Sequence, residues 1–493
     1  MTTDPKPPVE NSYSKNLGKL ISGLLSGSRF QLSVYGTAAR FFSRDEQDTA
    51  EIAALQQIWE QSQAQLAQAN RKTEALLIAD VQQKRQQLFD AEYRYEQLQQ
   101  QRYAQLYLLC QQLLELTEGQ NRQETILRSS RLLGTLQLLA PSEGDGMAAM
   151  QQKYKPFYKA VLSLRLLDHL LEQNLITNSY ILKKVTQRQQ MLQLPDQQAY
   201  CPFRDDVQIP LLMAVLLQDV GHYHPDAMRL LQADGSQPNY RLQFSNTERQ
   251  EFVEISLQAS VRFLLKGIGM PVYRGNSKSE RAEFQQNEQE KMAFAATVLR
   301  TAAAPGSGVG NLLRIPQVYA SAVLPGRARF VYESLPKVAL ILKNGARAGQ
   351  YDERMVDQLL TITGIFPQGY GIVYLPKDKT AANTERYEFA IVNSLYPPSP
   401  ETPLCRSVTR NLRYRTSGTN LAVSVDHNLY FKPARQKLAV IPEARLQEIL
   451  SKLSSSFEPA QLRHFLPRCW HPDEFFADPK QQNLWNRNEL QQN

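Results

Sequence analysis

The stretch LLMAVLLQDVGHYHPDAMRLL, residues 211–231, opens as an apolar helix and runs into a polar cluster. No polar residue precedes Gln218, so the helix belongs in a core, apolar on every face. Asp219, His222, His224 and Asp226 follow at once. Imidazoles and carboxylates are common ligands of divalent metals, and histidines at i and i+2 suit two donors on an extended segment. A plainer reading uses the same side chains to hydrogen-bond the helix end, where a protonated histidine favours the helix dipole. The choice between a metal site and a polar helix end decides whether this protein is an enzyme.

The chain around this helix has 493 residues, too many for one core, and predicts two to four units at roughly 100–200 residues each. Its net charge of +8 permits anionic partners such as nucleotides, nucleic acid or a membrane surface, but a solvated basic face explains it equally well. Zinc-finger spacing and RNA-binding aromatic motifs are both lacking, so no nucleic-acid partner is expected. Cys110, Cys201, Cys405 and Cys469 lie far apart without CxxC spacing, which argues for reduced thiols and a cytoplasmic protein. No apolar run reaches the ~18 residues that cross a bilayer, and MTTDPKPPVENSYSK does not read as a secretory signal.

Composition divides the chain into five stretches. Residues 1–44 hold a polar, proline-containing tail (1–14) and a basic amphipathic segment (15–44). That segment could lie on an anionic membrane, but its glycines favour packing against the protein. Residues 45–150 are rich in Gln, Ala, Leu and Glu. Apolar side chains recur at helical spacing through Ile52, Leu55, Trp59 and Leu66, then in a second register from Leu77 through Leu88, Ala91 and Leu106 to Leu116. This predicts a long helix or coiled coil with a stutter near Thr73–Asp80, as a parallel dimer, a helical hairpin or an antiparallel bundle. Residues 151–365 are helical again, interrupted by polar inserts at 176–207 and 272–290. Residues 366–440 form a small β unit, read from TGIFPQGYGIVYLP, YEFAIVNSLYPP, NLRYRT, NLAVSV and NLYFK. Residues 441–493 are a C-terminal helical tail, with helix at about 442–455 and a frayed end in KQQNLWNRNELQQN. The fold class is mainly α, with long N-terminal helices, a helical domain and a small C-terminal β unit.

Within this order, residues 318–375, VYASAVLPGRARFVYESLPKVALILKNGARAGQYDERMVDQLLTITGIFPQGYGIVYL, carry a likeness to a known family. Tyr351-Asp352 and Gly364-Ile365-Phe366-Pro367 fit its "FDP" and "GIYPVGS" runs in order and spacing. On these residues the region 150–435 resembles an HD-GYP domain, the bacterial all-helical phosphodiesterase that hydrolyses cyclic di-GMP. The resemblance implies a site where two or three metal ions, bridged by an aspartate and held by histidines and carboxylates, activate a water. Mapped residue by residue, the histidine–aspartate pair falls on Gln218-Asp219 and the first histidine on Tyr158. A later histidine falls on Ser256, and the motif HHExxDGxGYP on RTAAAPGSGVG, residues 300–310. There Arg300, Thr301 and Ala302 stand for His, His and Glu, and the last aspartate falls near Gln317. Only Asp219 keeps a metal-binding side chain, and one carboxylate does not hold a catalytic ion.

The resemblance therefore implies a catalytically inactive relative with no metal and no cofactor. It would act by binding a protein partner, by self-association through the N-terminal helices, or by binding a cyclic dinucleotide. The alternative is an active metal-dependent cyclic di-GMP phosphodiesterase with a divergent site. Candidate phosphate contacts are Arg406, Arg410 and Arg413 in CRSVTRNLRYR, with Arg415 beside them, since guanidinium forks pair with phosphates. Their Arg-x-x-x-Arg spacing resembles the ligand arm of PilZ domains, although the downstream Asn/Asp-x-Ser-x-x-Gly partner is absent. A solvated basic face is the plainer account of the same arginines. Asp168-His169 reads as a polar helix face, and RCWHPDEFF, around Cys469, His471 and Asp473, as a packing segment.

Overall fold

The computed structural model describes residues 12–27, 32–69, 74–140, 147–191, 200–232, 244–306, 308–326, 330–376, 387–438 and 467–486. The helix expected at 442–455 and most of the N-terminal tail lie outside them. The chain is mainly α with a small antiparallel β unit near its C-terminus, as the sequence predicts. It divides into two compact units, each discontinuous in sequence. One comprises Met1–Lys19, Gln112–Asn178 and Thr301–Asn493, the other Leu20–Gln111 and Ser179–Arg300.

Helix α1 (Ser12–Leu25) takes in the end of the expected tail and buries Leu17, Leu20, Ile21 and Leu24. The amphipathic segment is indeed not one helix: α1 ends before Gly27, which sits at φ 69°. Helix α2 (Val34–Ala67) restarts behind the N-cap Ser33, whose hydroxyl accepts from Gly36 N at 2.9 Å. It ends short of α3 (Glu74–Thr117), so the chain breaks next to the expected stutter. Glu51 and Arg94 lie 3.6 Å apart, each well inside its helix, so the two helices run antiparallel as a hairpin. Leu88, Ala91, Leu106, Leu109 and Leu113 are buried, which matches the second register.

Helices α4 (Arg122–Leu139) and α5 (Met147–Glu172) follow. The polar insert expected at 176–207 contains α6 (Ser179–Met191) and a π-helical turn, Arg204–Gln208, that leads into α7 (Ile209–Leu217). The insert reads as polar because α6 buries little beyond Ile181 and Lys184. Every residue of α7 is buried, as its uniform hydrophobicity requires. A 3-10 turn, Val220–Tyr223, connects it to α8 (Pro225–Gln232). Helix α9 (Asn246–Arg262) opens with a Ser245/Glu248 capping box. It ends in a second π turn, Phe263–Ile268, whose loose carbonyls are claimed by α3: Gln99 donates to Lys266 O at 2.6 Å and Arg102 to Gly267 O at 3.1 Å. Helix α10 (Lys278–Ala303) occupies much of the second expected insert, again with one buried face.

Helices α11 (Asn311–Val323), α12 (Val338–Arg347) and α13 (Glu353–Thr363) return the chain to the first unit, where α11 and α13 pack on α5. Asp352 caps α13 by accepting from Arg354 N and Met355 N, and Gly364 ends it at φ 65°. Strands β1 (Gly371–Tyr374), β2 (Glu388–Ser394), β3 (Leu404–Ser407), β4 (Thr409–Arg410), β5 (Arg413–Tyr414) and β6 (Asn420–Ala422) come next. A sheet of order β1-β2-β3-β6 is antiparallel throughout, and β4-β5 form a separate ribbon. One face of the sheet sets Val373, Phe389 and Ile391 against Trp470, Phe475 and Trp485. The other sets Ile372, Ala390 and Val392 against Tyr332, Phe366 and Tyr370. Both faces are covered, so EFAIV in β2 shows no polar alternation. NLYFK is not a strand: it holds a single bridge, Tyr374 to Asn428, and the Asn428 amide oxygen accepts from Tyr430 N. Helices α14 (Lys432–Leu438) and α15 (Asp473–Ala477) complete the described elements.

The described part of the end expected to fray, through residue 486, is anchored instead. Leu484 and Trp485 are buried in the sheet's core, and Trp485 lies so close to Gly134 that a Cβ there would sit 2.3 Å from the indole. Trp485→Ala is expected to lower unfolding stability by about 3–5 kcal/mol in chemical denaturation, as for a buried aromatic. A loss below about 0.5 kcal/mol would mean that the segment is frayed after all.

Candidate functional site

The polar cluster after α7 is built by a close helix crossing. The 3-10 turn brings Gly221 against α9, where a Cβ on Gly221 would stand 1.9 Å from the carbonyl oxygen of Ser256. Gly221 N donates to Ser260 Oγ at 2.9 Å, and that hydroxyl donates to Gln218 O at 3.0 Å. One serine thus satisfies backbone groups left open where α7 ends. Asp219 is buried beside this crossing. The two histidines point to separate partners. His222 packs on Phe252 with ring centroids 4.9 Å apart, whereas His224 packs on Phe42 at 5.4 Å. His224 Nδ1 also accepts from Asp226 N at 3.3 Å and lies 3.6 Å from Asp226 Oδ2, while Asp226 pairs with Arg229. These contacts are those of a helix end. Among the described residues, no three His, Cys, Asp or Glu side chains gather as a metal ion would need.

The other positions that the resemblance assigns to ligands fall in both units. Ser256 and Arg300 belong with Asp219, while Tyr158, Thr301, Ala302 and Gln317 belong to the other unit. Tyr158 is fully buried and stacks on Tyr319 at 6.3 Å; burial pushes both phenols upward, so they stay neutral. Arg300 and Thr301 are exposed, and Gly306 and Gly308 keep left-handed conformations at φ 103° and 131°. His169 is buried rather than solvated: its Nε2 lies 2.9 Å from Gln358 Oε1, and Asp168 pairs with the buried Arg165 at 2.9 Å. The RCWHPDEFF segment packs as expected, with Trp470, Phe475 and Phe476 buried and His471 stacked on Tyr332 at 4.3 Å.

Of the arginines, Arg406 stands apart. It lies on β3, opposite Ile391 and Asn420, and burial lowers its guanidinium pKa. Arg410 and Arg413 are direct partners across the β4-β5 ribbon, so their side chains leave from one face while Thr409 and Tyr414 share the other. The connecting residues Asn411 and Leu412 both adopt left-handed backbone, at φ 53° and 59°, as a two-residue hairpin turn demands. Buried Glu388 holds that turn: its carboxylate accepts from Asn411 N at 2.6 Å, Leu412 N at 3.3 Å and Thr409 Oγ1 at 2.7 Å. Arg410 and Arg413 are exposed and form no ion pair among the described residues. Two like charges are thus held side by side by a buried carboxylate and a left-handed leucine.

Sequence reasoning missed one cluster. The π turn places Asp205 and Asp206 consecutively in the interior, where Asp206 meets Lys184 Nζ at 2.6 Å, Lys291 Nζ at 3.0 Å and the hydroxyl of Tyr200. Lys184 also reaches Asn287 at 2.7 Å, and Lys291 reaches Glu288 at 2.6 Å. Burial alone would raise the Asp206 carboxyl, but the lysines and Tyr200 outweigh it and hold it below the ordinary carboxylate range. Beside it opens a cavity of about 780 Å³, lined by Lys184, Gln187, Tyr200, Tyr273, Phe284 and Asn287. The lining mixes cations, carboxylates such as Glu280 and Glu290, amides and aromatics. The only trace in the sequence is the pair of acids in FRDDVQ ahead of an apolar helix; the distant lysines are not legible from it.

Compared with models of protein families, with curated proteins and with solved structures, the chain matches none.

Because the folded Asp206 carboxyl lies below its unfolded value of 3.8, its stabilisation is complete above that pH and is lost as pH falls through the folded value. Asp206→Asn should therefore cost about 3–5 kcal/mol at neutral pH by leaving the lysines uncompensated. It should also flatten the acid limb of a stability–pH curve measured by denaturant unfolding. An unchanged acid limb would show that Asp206 is not ionised in the folded protein.

Proposed function

We propose that this chain is a catalytically inactive HD-GYP-like signalling protein of the cytoplasm, and that it acts by binding a partner protein or a cyclic dinucleotide. The observation that carries this reading is the crossing of Gly221 on Ser256. At the two positions assigned to histidine ligands, the Gln218 backbone carbonyl accepts from the Ser260 hydroxyl, and Ser256 meets Gly221 backbone to backbone. Metal-assisted hydrolysis needs about three protein donors around an ion with room for water and substrate. Here Asp219 is the one donor left, beside a contact too tight for a methyl group. The paired Arg410 and Arg413 favour a binding role, since two adjacent guanidiniums match the charge and geometry of phosphate oxygens.

Two measurements test the proposal. Full-length protein incubated with Mn²⁺ or Fe²⁺ and then desalted should retain far less than one metal per chain and leave cyclic di-GMP intact. Stoichiometric metal together with turnover would establish the divergent phosphodiesterase instead. In calorimetry with cyclic di-GMP, Arg410→Ala and Arg413→Ala should each weaken binding about tenfold or more, the value of a charge-assisted hydrogen bond. A flat titration at high micromolar nucleotide would remove that ligand and leave the partner protein.

A further inference from the structure

The α2-α3 hairpin exposes aromatic surface where helical periodicity would allow it to be polar. Phe89 is 57% exposed and Tyr93 51%, their rings stacked at 6.1 Å, and Ile78 on the same side is 41% exposed. At 100° per residue, positions 78, 82, 85, 89, 92, 93 and 96 of α3 fall on one face. Leu88 and Ala91, which are buried, point away from it. The stacked Phe89–Tyr93 pair is an exposed apolar feature larger than the single exposed side chains that any surface carries.

The charges beside the patch select its occupant. Arg85 precedes Phe89 by about one turn, and Glu92 follows it by about one turn. Both are exposed, and neither forms an ion pair among the described residues, although Lys84 and Arg94 nearby do so with Asp80 and Glu51. A second copy of α3, laid antiparallel about a two-fold axis at Phe89, sets Phe89 on its own copy. The same operation brings Arg85 onto Tyr93 and Glu92 of the other chain, twice. Opposite charge and a cation over an aromatic face both favour that arrangement. A parallel pairing would instead face arginine with arginine and glutamate with glutamate, so the charges also reject the wrong orientation.

We propose that the Arg85–Phe89–Glu92–Tyr93 face of α3 is a self-association surface that takes a second copy of this chain in antiparallel register. The proposal deepens the binding reading given above and rests on it for its purpose, but not for its test. Sedimentation equilibrium of the full chain should give twice the chain mass at tens of micromolar. Phe89→Ser should weaken association about tenfold or more. Arg85→Glu and Glu92→Arg should each weaken it about tenfold, and the double charge swap should restore it to near the wild-type value. These positions are exposed, so circular dichroism should show unchanged helix content and melting. A monomeric wild type, or a dimer indifferent to all four variants, would overturn the proposal. Neither result bears on metal content or hydrolysis, which decide the other reading separately.

Discussion

One backbone contact governs the polar cluster that follows α7. Gly221 and Ser256 approach so closely that any side chain at Gly221 would collide with a carbonyl group. That approach requires glycine on the turn, and Ser260 supplies the hydroxyl that joins turn and helix. Once the crossing is fixed, α7 stays wholly buried and the chain after it must turn at once, which it does as a 3-10 turn into α8.

Away from that contact, several buried charges meet groups that compensate them. Asp206 is met by two lysines and a tyrosine, Arg165 by Glu118 and Asp168, and Glu388 by two backbone amides and a hydroxyl. Such clusters contribute little net stability compared with apolar packing, but removing one member leaves a buried charge exposed to no partner. Their structural effect is to fix position. Asp206 ties α6 and α10 to the π turn, and Glu388 sets the turn that presents Arg410 and Arg413.

The helical character was legible from spacing alone. The α3 register was readable because Leu88, Ala91, Leu106 and Leu113 repeat on a buried face, and the break before Glu74 was signalled by the shift of register. Helix α6 and the first part of α10 were not, because they bury little beyond Ile181, Lys184 and Glu288, and hydropathy does not distinguish a compensated lysine from a solvated one. NLYFK misled for the opposite reason: its aromatic side chains face a core without strand geometry around them. The anchored residues were hidden by their polar neighbours, since Leu484 and Trp485 are the apolar ones buried there among the described residues. Among candidate site residues, adjacent arginines were visible, yet the separation of Arg406 from Arg410 and Arg413 depended on a turn between strands. The left-handed leucine in that turn is not predictable from its residue type.

What remains is a set of local features that stability alone does not favour. Paired arginines repel, a left-handed leucine costs of order 1–3 kcal/mol, and stacked aromatics in water give up the burial that would reward them. Each is held in place by something else: Glu388 for the ribbon, and the buried side of α3 for Phe89 and Tyr93. The scaffold thus maintains unfavourable surface groups through contacts on its buried side.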